Sequence, residues 1–315
     1  MSTMCAKGKG PRWSLTLTAI FILVAVLMME HTLAEETRYP DVIRVGYSSK
    51  LFADVDIRDV QVAMDMWAKE LNRIAGINTF PKSVIFTDIV SMVEAVKQHK
   101  VDILSLSALD YLSIKDKVPL EPTFVASNVL DKRQERVLLV RKDKGITKVG
   151  QLKGRTLGVL SRSRDEASLI WLDVVLAREG IHEREDFFST VREATKASQA
   201  ILQVFFRQSD AAIVSRSAFE TMIALNPQIG QEISVLASSK NLLGNISCIH
   251  RDMDSGLKKL IIEKAPRLHE KTGTKQMFTL LQTDRIVPFQ PSYLDSLADL
   301  IREHNELTTK LARRR

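Results

Sequence analysis

The sequence predicts an α/β protein built of two lobes. Short apolar segments alternate with stretches of helical period, a polar and proline-containing stretch over residues 115–133 interrupts that alternation once, and a new strand then restarts it. Alternation of this kind belongs to mainly parallel, doubly wound sheets with helices on their faces. The interruption marks a crossover from one lobe to the next.

Ahead of the first strand, Lys7, Lys9 and Arg12 precede an apolar run over residues 15–29 that closes on Thr32, Leu33 and Ala34. The run falls short of the roughly 20 residues that a spanning helix needs, and small residues stand at its end. Residues 1–34 therefore read as a secretory signal peptide cleaved after Ala34, with an uncleaved anchor as the other reading. Cys5 lies before the apolar run, so no cysteine is placed to carry a lipid at the mature N-terminus. The expected location is the periplasm of a bacterium.

Cleavage would leave Cys248 as the single cysteine, so no internal disulfide is expected and burial alone must hold the fold. With 45% hydrophobic and 26% charged residues, the chain has enough apolar material for one large or two medium cores. The formal charge is +7, or +5 without Lys7, Lys9, Arg12 and Glu30. Both signs are interspersed, and Arg313, Arg314 and Arg315 form the one basic run, which reads as a solvated helix end rather than a nucleic-acid surface.

Residues 42–47 form the first expected strand. The helix expected over residues 55–74 places Ile57, Val60, Met64, Trp67, Leu71 and Ile74 at alternating spacings of three and four, one apolar stripe whose Met and Trp are core filling. A strand over 83–86, a helix over 89–98 with Asp88 as N-cap, and a strand over 101–106 complete the first lobe's β-α steps. In the second lobe, strands are expected at 136–140, 156–160 and 211–214, with helices at 166–178 and 196–207. Residues 246–252 share with 137–143 the pattern of a strand ending in basic residues and an aspartate, and the two are expected to pair as the crossings of a hinge. Residues 253–315 read as three helices, with Pro288 and Pro291 before the last. The resulting division is 35–126 for the first lobe, 127–250 for the second, and 251–315 returning to the first.

The segment over residues 154–168 carries the most chemistry. An apolar strand runs into Ser161, Arg162, Ser163 and Arg164 at a helix start, where unpaired backbone N–H groups and the helix dipole favour a small anion. Ser163 and Glu166 also have the spacing of a capping box, which would make the turn a capped helix start only.

Several phrases together resemble the periplasmic phosphate, phosphite and phosphonate binding proteins of ATP-driven uptake systems, which have the type II periplasmic-binding-protein fold. They are Ile43-Arg44-Val45-Gly46-Tyr47; Thr87-Asp88 with Met92-Val93-Glu94-Ala95; Lys100-Val101-Asp102-Ile103; Leu139-Val140-Arg141-Lys142-Asp143; Gln151-Leu152-Lys153-Gly154-Arg155-Thr156; Asp186-Phe187-Phe188; Ser209-Asp210-Ala211-Ala212; and Val287-Pro288 leading to Tyr293. The resemblance covers nearly all of the mature chain. It implies two lobes that close on a small molecule with hydroxyl and backbone donors from both sides. By position, Tyr47, Ser48, Thr87, Ser105, Ser107 and Tyr111 would serve from the first lobe, and Ser161, Ser163 and Ser215 from the second. A rotating O–H suits the task because it donates to a phosphoryl or carboxyl oxygen without adding charge.

The turn departs from the family's serine, threonine and glycine cluster. Asp165 and Glu166 would oppose a dianion, while Arg162 and Arg164 could neutralise them or grip a carboxylate or phosphate in two parallel hydrogen bonds. Arg162 is expected to face the ligand and Arg164 to pair with Asp165 or Glu166.

Other chemistry is sparse. His99, His182, His250, His269 and His304 show no paired metal-ligand spacing and read as lone surface residues. Cys248 reads as a small buried residue, and Gly145, Gly150, Gly154 and Gly158 are too widely spaced for a phosphate loop. The function implied is capture of a small anionic solute, phosphonate-like, phosphate-like or a carboxylate, for an inner-membrane ABC permease. No reaction, cofactor, metal or nucleic acid is expected, and the protein is expected to be a monomer. The alternative is a sensor that presents its closed form to a membrane kinase; an exported enzyme on this fold would depend on Cys248 alone.

Overall fold

The computed structural model describes residues 39–52, 57–76, 79–126, 134–181, 183–275, 278 and 283–312, without the side chains of residues 57, 71, 74, 75, 162–164, 272, 311 and 312. The expected signal segment lies outside the described residues. Among those described, no helix is long and apolar enough to cross a membrane.

The chain opens with β1 (Val42–Ser48), α1 (Ile57–Ala75), β2 (Phe80–Phe86), α2 (Ile89–Lys97), β3 (Ile103–Ser107), α3 (Ala108–Ile114) and β4 (Leu120–Ala126). It continues through β5 (Glu135–Arg141), β6 (Thr156–Leu160), α4 (Arg162–Arg178), α5 (Arg184–Phe187), β7 (Thr190–Ala194), α6 (Ala197–Phe205) and β8 (Ala211–Ser215). Next come α7 (Arg216–Leu225), α8 (Pro227–Glu232), β9 (Ile233–Asn241), β10 (Asn245–His250), α9 (Ser255–Lys264), β11 (Ile286–Pro288) and α10 (Asp295–Ala312).

Two sheets result, a six-stranded one in the order β11-β4-β10-β3-β1-β2 and a five-stranded one in the order β7-β6-β8-β5-β9. Each has a parallel block at one end, β2-β1-β3 in the first and β7-β6-β8 in the second. Antiparallel pairs complete both sheets, so they are less uniformly parallel than the sequence pattern implies. In β5, Val137 and Leu139 face one core while Leu138 and Val140 face another, and all four are buried. Burial on both faces explains why residues 137–140 are a continuous apolar run instead of alternating.

The similarity between residues 137–143 and 246–252 is one of role, not of pairing. β5 lies between β8 and β9 in the second sheet, whereas β10 lies between β3 and β4 in the first. Each is an antiparallel strand flanked on both sides, and that environment selects the same apolar pattern. The return to the first sheet therefore occurs at Leu242–Gly244, not after residue 250. The stretch read as a polar connection contains β4, whose Pro122 stands opposite Cys248 where the register shifts between Ser247 and Cys248. A residue without an N–H is tolerated where the ladder is already interrupted.

The stripe on α1 is core, with Val60, Met64 and Trp67 packed against Tyr47 and Phe52. Asp88 caps α2 by accepting from Ser91 N at 2.8 Å. Of the C-terminal region, α9 packs on the first lobe through Leu257 and Ile43, and β11 joins the first sheet. The last helix does not stay there: α10 lies along α4 of the second lobe, where Arg178 and Glu303 form an ion pair at 2.7 Å. Between α9 and β11 the described residues hold short 3-10 turns, Ala265–Glu270 and Thr272–Thr274, followed by helical residues at Lys275 and Phe278 in the region where a further helix was expected.

Candidate functional site

The C-terminal ends of β3, β6 and β8 and the return segment surround a cavity of about 210 Å³ between the two sheets. The first lobe contributes Lys50, Ser107 and Leu109, and the second contributes Arg136, Leu160, Asp165, Glu166, Ala167 and Ser215. Leu243, Gly244 and Asn245 form its floor, and Leu297 of α10 reaches it as well. Strand ends that open onto helix starts present backbone N–H groups and capping hydroxyls, the groups suited to an anion.

Ser107 and Ser215 occupy matching places in the two lobes. Ser107 caps α3, its Oγ accepting from Asp110 N at 3.0 Å, and Ser215 caps α7, its Oγ accepting from Ala218 N at 3.3 Å. In such a cap the oxygen accepts from the helix while the O–H keeps a proton to donate. The floor is held by Gln134, whose side-chain oxygen accepts from Gly244 N, and by Ala108 N donating to Gly244 O at 2.9 Å.

The charged side chains of the cavity are largely spoken for. Lys50 Nζ lies 2.8 Å from Asp110 Oδ1, and the other Asp110 oxygen is buried with no hydrogen-bond partner among the described residues. Arg136 Nε lies 3.0 Å from Asp165 Oδ2, with both side chains 11% exposed, and its Nη1 donates to Gln134 O at 2.7 Å. Beside it, Arg216 Nε meets Glu135 Oε2 at 2.6 Å. Glu166 has no ion-pair partner among the described residues. Three cations and three carboxylates thus pair at the lining or directly behind it, with Glu166 in excess among the described residues.

The turn over residues 161–168 differs from the expected capping box. Asp165 has non-helical dihedrals (φ −147°, ψ 66°), which separates a first turn from the helix proper. Asp165 takes the cap: its carboxylate accepts from Ser168 Oγ at 2.5 Å and, more weakly, from Ser168 N at 3.4 Å. Its cationic partner among the described residues is Arg136, from a different strand. The side chains of Arg162, Ser163 and Arg164 lie outside the described residues. Ser161 holds the N-cap position without a side-chain cap bond, its carbonyl accepting from Asp165 N at 3.1 Å.

Of the other residues read as ligand-binding, Ser48 is buried and its Oγ accepts from Lys50 N at 3.4 Å, so it shapes the turn that presents Lys50. Thr87 is exposed at the end of edge strand β2 and does not line the cavity. Tyr47 and Ser105 do not line this cavity. They line a separate cavity of about 180 Å³ beneath α1 and α9, where Ser105 and Ser247 share a hydrogen bond at 2.7 Å. Burial raises the Tyr47 hydroxyl well above its ordinary pKa. Tyr111 is buried in the core, and burial raises its hydroxyl too. Sequence reasoning missed Lys50, Arg136 and the return segment. Arg136 carried one signal, being a basic residue within an otherwise apolar strand.

Cys248 is wholly buried, and that burial raises its thiol far above the usual range, the opposite of what a nucleophile requires.

Residues 52–294 match the family model described as ABC transporter, phosphonate, periplasmic substrate-binding protein. The chain belongs to this family. The matched region contains the second sheet, every strand of the first except β1, and every cavity residue named above except Lys50 and Leu297. No curated protein matches the chain. Among solved structures, it is similar to PhnD1 from Prochlorococcus marinus (MIT 9301) in complex with methylphosphonate, at 14% identity and a TM-score of 0.62, covering 84% of this chain and 99% of that one. A binding protein component of an ABC phosphonate transporter from Pseudomonas aeruginosa aligns at 16% identity and a TM-score of 0.57, covering 88% and 99%. The periplasmic aliphatic sulphonate binding protein SsuA from Escherichia coli aligns at 13% identity and a TM-score of 0.52, covering 87% and 88%. The fold is that of the type II periplasmic binding proteins, and the family is the solute-binding component of ABC importers.

Proposed function

We propose that this chain captures a small solute bearing one acidic group in the cavity between its sheets and delivers it to an inner-membrane ABC permease. The observation that carries this reading is the pairing of Ser107 and Ser215, one capping hydroxyl from each lobe, at one cavity with Lys50 beside them. The acidic group, a phosphonate, phosphate or carboxylate, accepts from the two hydroxyls and from Lys50. Because Asp165 and Glu166 line the same cavity, the other end of the solute is an amine or a hydroxyl, which a carboxylate accepts from rather than repels. A plain dianion would face Glu166, which has no ion-pair partner among the described residues.

The reading includes export through residues 1–34, removed on the way to the periplasm, and a monomer as the working form. A thermal-shift screen against methylphosphonate, an aminoalkylphosphonate, phosphate, an alkanesulfonate and simple carboxylates tests the solute class, since a ligand of the folded form alone raises the melting temperature. The expected order puts the aminoalkylphosphonate or an amino acid above the plain anions. A larger shift with phosphate or sulfonate would overturn the role given to Asp165 and Glu166.

A further inference from the structure

β10 starts at the cavity with Asn245 and ends at the far edge of the first sheet with His250. There it meets His99, which ends α2 in the left-handed conformation (φ 52°), fixed by hydrogen bonds from His99 N to Val96 O and from Lys100 N to Ala95 O. The Arg44 guanidinium, paired with Asp102 at 2.7 Å, donates to the His99 carbonyl, and His250 N donates to Asp102 O at 2.8 Å. The two imidazoles, read from sequence as isolated surface residues, lie with ring centroids 4.5 Å apart, and His250 is buried.

Asp252 completes the group. Its Oδ2 lies 3.9 Å from His99 Nε2 and 3.9 Å from His250 Nδ1, and one donor atom from each of the three lies within 4.8 Å of the others. These separations are too long for hydrogen bonds, so nothing on the three side chains satisfies the others directly. His250 Nδ1 accepts from Asp252 N at 3.2 Å, with the proton on Nε2; Nδ1 has one lone pair, so an ion bound there displaces this long hydrogen bond. Nε2 is buried and has no hydrogen-bond partner among the described residues.

We propose that His99, His250 and Asp252 form a site for one first-row transition-metal ion of the Zn²⁺ or Cu²⁺ type. Two imidazoles and one carboxylate select such ions over Ca²⁺ and Mg²⁺, which demand oxygen shells. Donors at about 2.1 Å from a tetrahedral ion stand about 3.4 Å apart, so the three groups need to close by about an ångström. His99 and Asp252, with side chains 59% and 66% exposed, have the freedom to do so, while buried His250 supplies the fixed ligand. Solvent provides the fourth position, as in open three-ligand sites. The site stands at the opposite end of β10 from the cavity, so metal and solute bind independently.

The test is calorimetric titration of chelator-stripped, tag-free protein with Zn²⁺, paired with Co²⁺ titration followed by visible absorption. The wild type is expected to take up one equivalent, and His99→Ala and Asp252→Asn each to weaken binding about tenfold or more. Neither substitution touches the core, so both variants are expected to fold. His304→Ala, which alters a histidine paired with Asp173 elsewhere, is expected to bind as the wild type does. Absence of saturable binding to the wild type, or wild-type affinity in both His99→Ala and Asp252→Asn, would overturn the site.

Discussion

At the residue scale, the second lobe depends on the contact between Arg136 and Asp165. Both side chains are 11% exposed, and together they tie β5 to the start of α4. Removing either partner leaves a nearly buried charge uncompensated, which costs about 3 to 5 kcal/mol, whereas replacing both with apolar residues of similar volume is far less harmful. Arg136→Ala is therefore expected to lower the denaturation free energy by about 3 kcal/mol, and the double replacement Arg136→Met with Asp165→Leu to recover most of it. Additive losses in the double variant would show that the pair is not coupled. This contact was illegible in the sequence because its partners lie 29 residues apart on different elements, while Arg162 and Arg164 stood beside Asp165 and drew the pairing to themselves. Tyr47 and Ser105 also sit near the ends of the right strands, but the register that pairs them puts both in the separate cavity beneath α1 and α9, whereas Ser107, two residues further along β3, reaches the cavity between the sheets.

At the scale of elements, β6 is fastened to β8 through Asp210, immediately before β8. Its Oδ2 accepts from Thr156 N at 3.0 Å and from Thr156 Oγ1 at 2.9 Å, while Asp210 N donates to Thr156 Oγ1 at 2.9 Å. Burial opposes ionisation of this carboxyl, but the hydrogen bonds from Thr156, with Arg155 nearby, outweigh it and hold the pKa below the ordinary value. A depressed folded-state pKa stabilises the fold above the unfolded value near 3.8, and that contribution is lost as pH falls through the lower folded value. Urea midpoints measured from about pH 5 to about pH 3 are thus expected to fall more steeply for the wild type than for Asp210→Asn, and parallel curves would contradict this role. The elements themselves were unevenly legible. The stripe of α1 and the Asp88 cap follow from local periodicity and side-chain chemistry, and both are present. β7 and β9 are the edges of the second sheet, and an edge strand does not need the unbroken apolar run that marks a buried one. β4 was hidden by Pro122, whose place at a register shift no local pattern announces.

At the scale of the whole molecule, two sheets face one cavity, β4 and β5 being consecutive strands of different sheets, and the chain returns to the first sheet at Leu242–Gly244. Residues 127–133, between β4 and β5, lie outside the described residues. The division into lobes was legible because the β-α rhythm stops and restarts; the site of the return was not, because β10 copies the pattern of β5. With two passages and a shared cavity, solute capture is expected to draw the lobes together. Small-angle scattering at saturating solute is expected to give a smaller radius of gyration than the free protein, and an unchanged value would count against closure. α10 adds a constraint, since it runs from the cavity at Leu297 to α4 of the second lobe and ties the two lobes by a third route. The central proposal, that one hydroxyl from each lobe holds the acidic group of the solute, is tested most directly by calorimetric titration of Ser107→Ala and Ser215→Ala with the strongest binder from the thermal-shift screen. Loss of a hydrogen bond to a charged group costs about 1.5 to 3 kcal/mol, so each variant is expected to bind about ten- to a hundredfold more weakly while losing only about 1 kcal/mol of stability with its helix cap. Wild-type affinity in both variants would contradict the proposal.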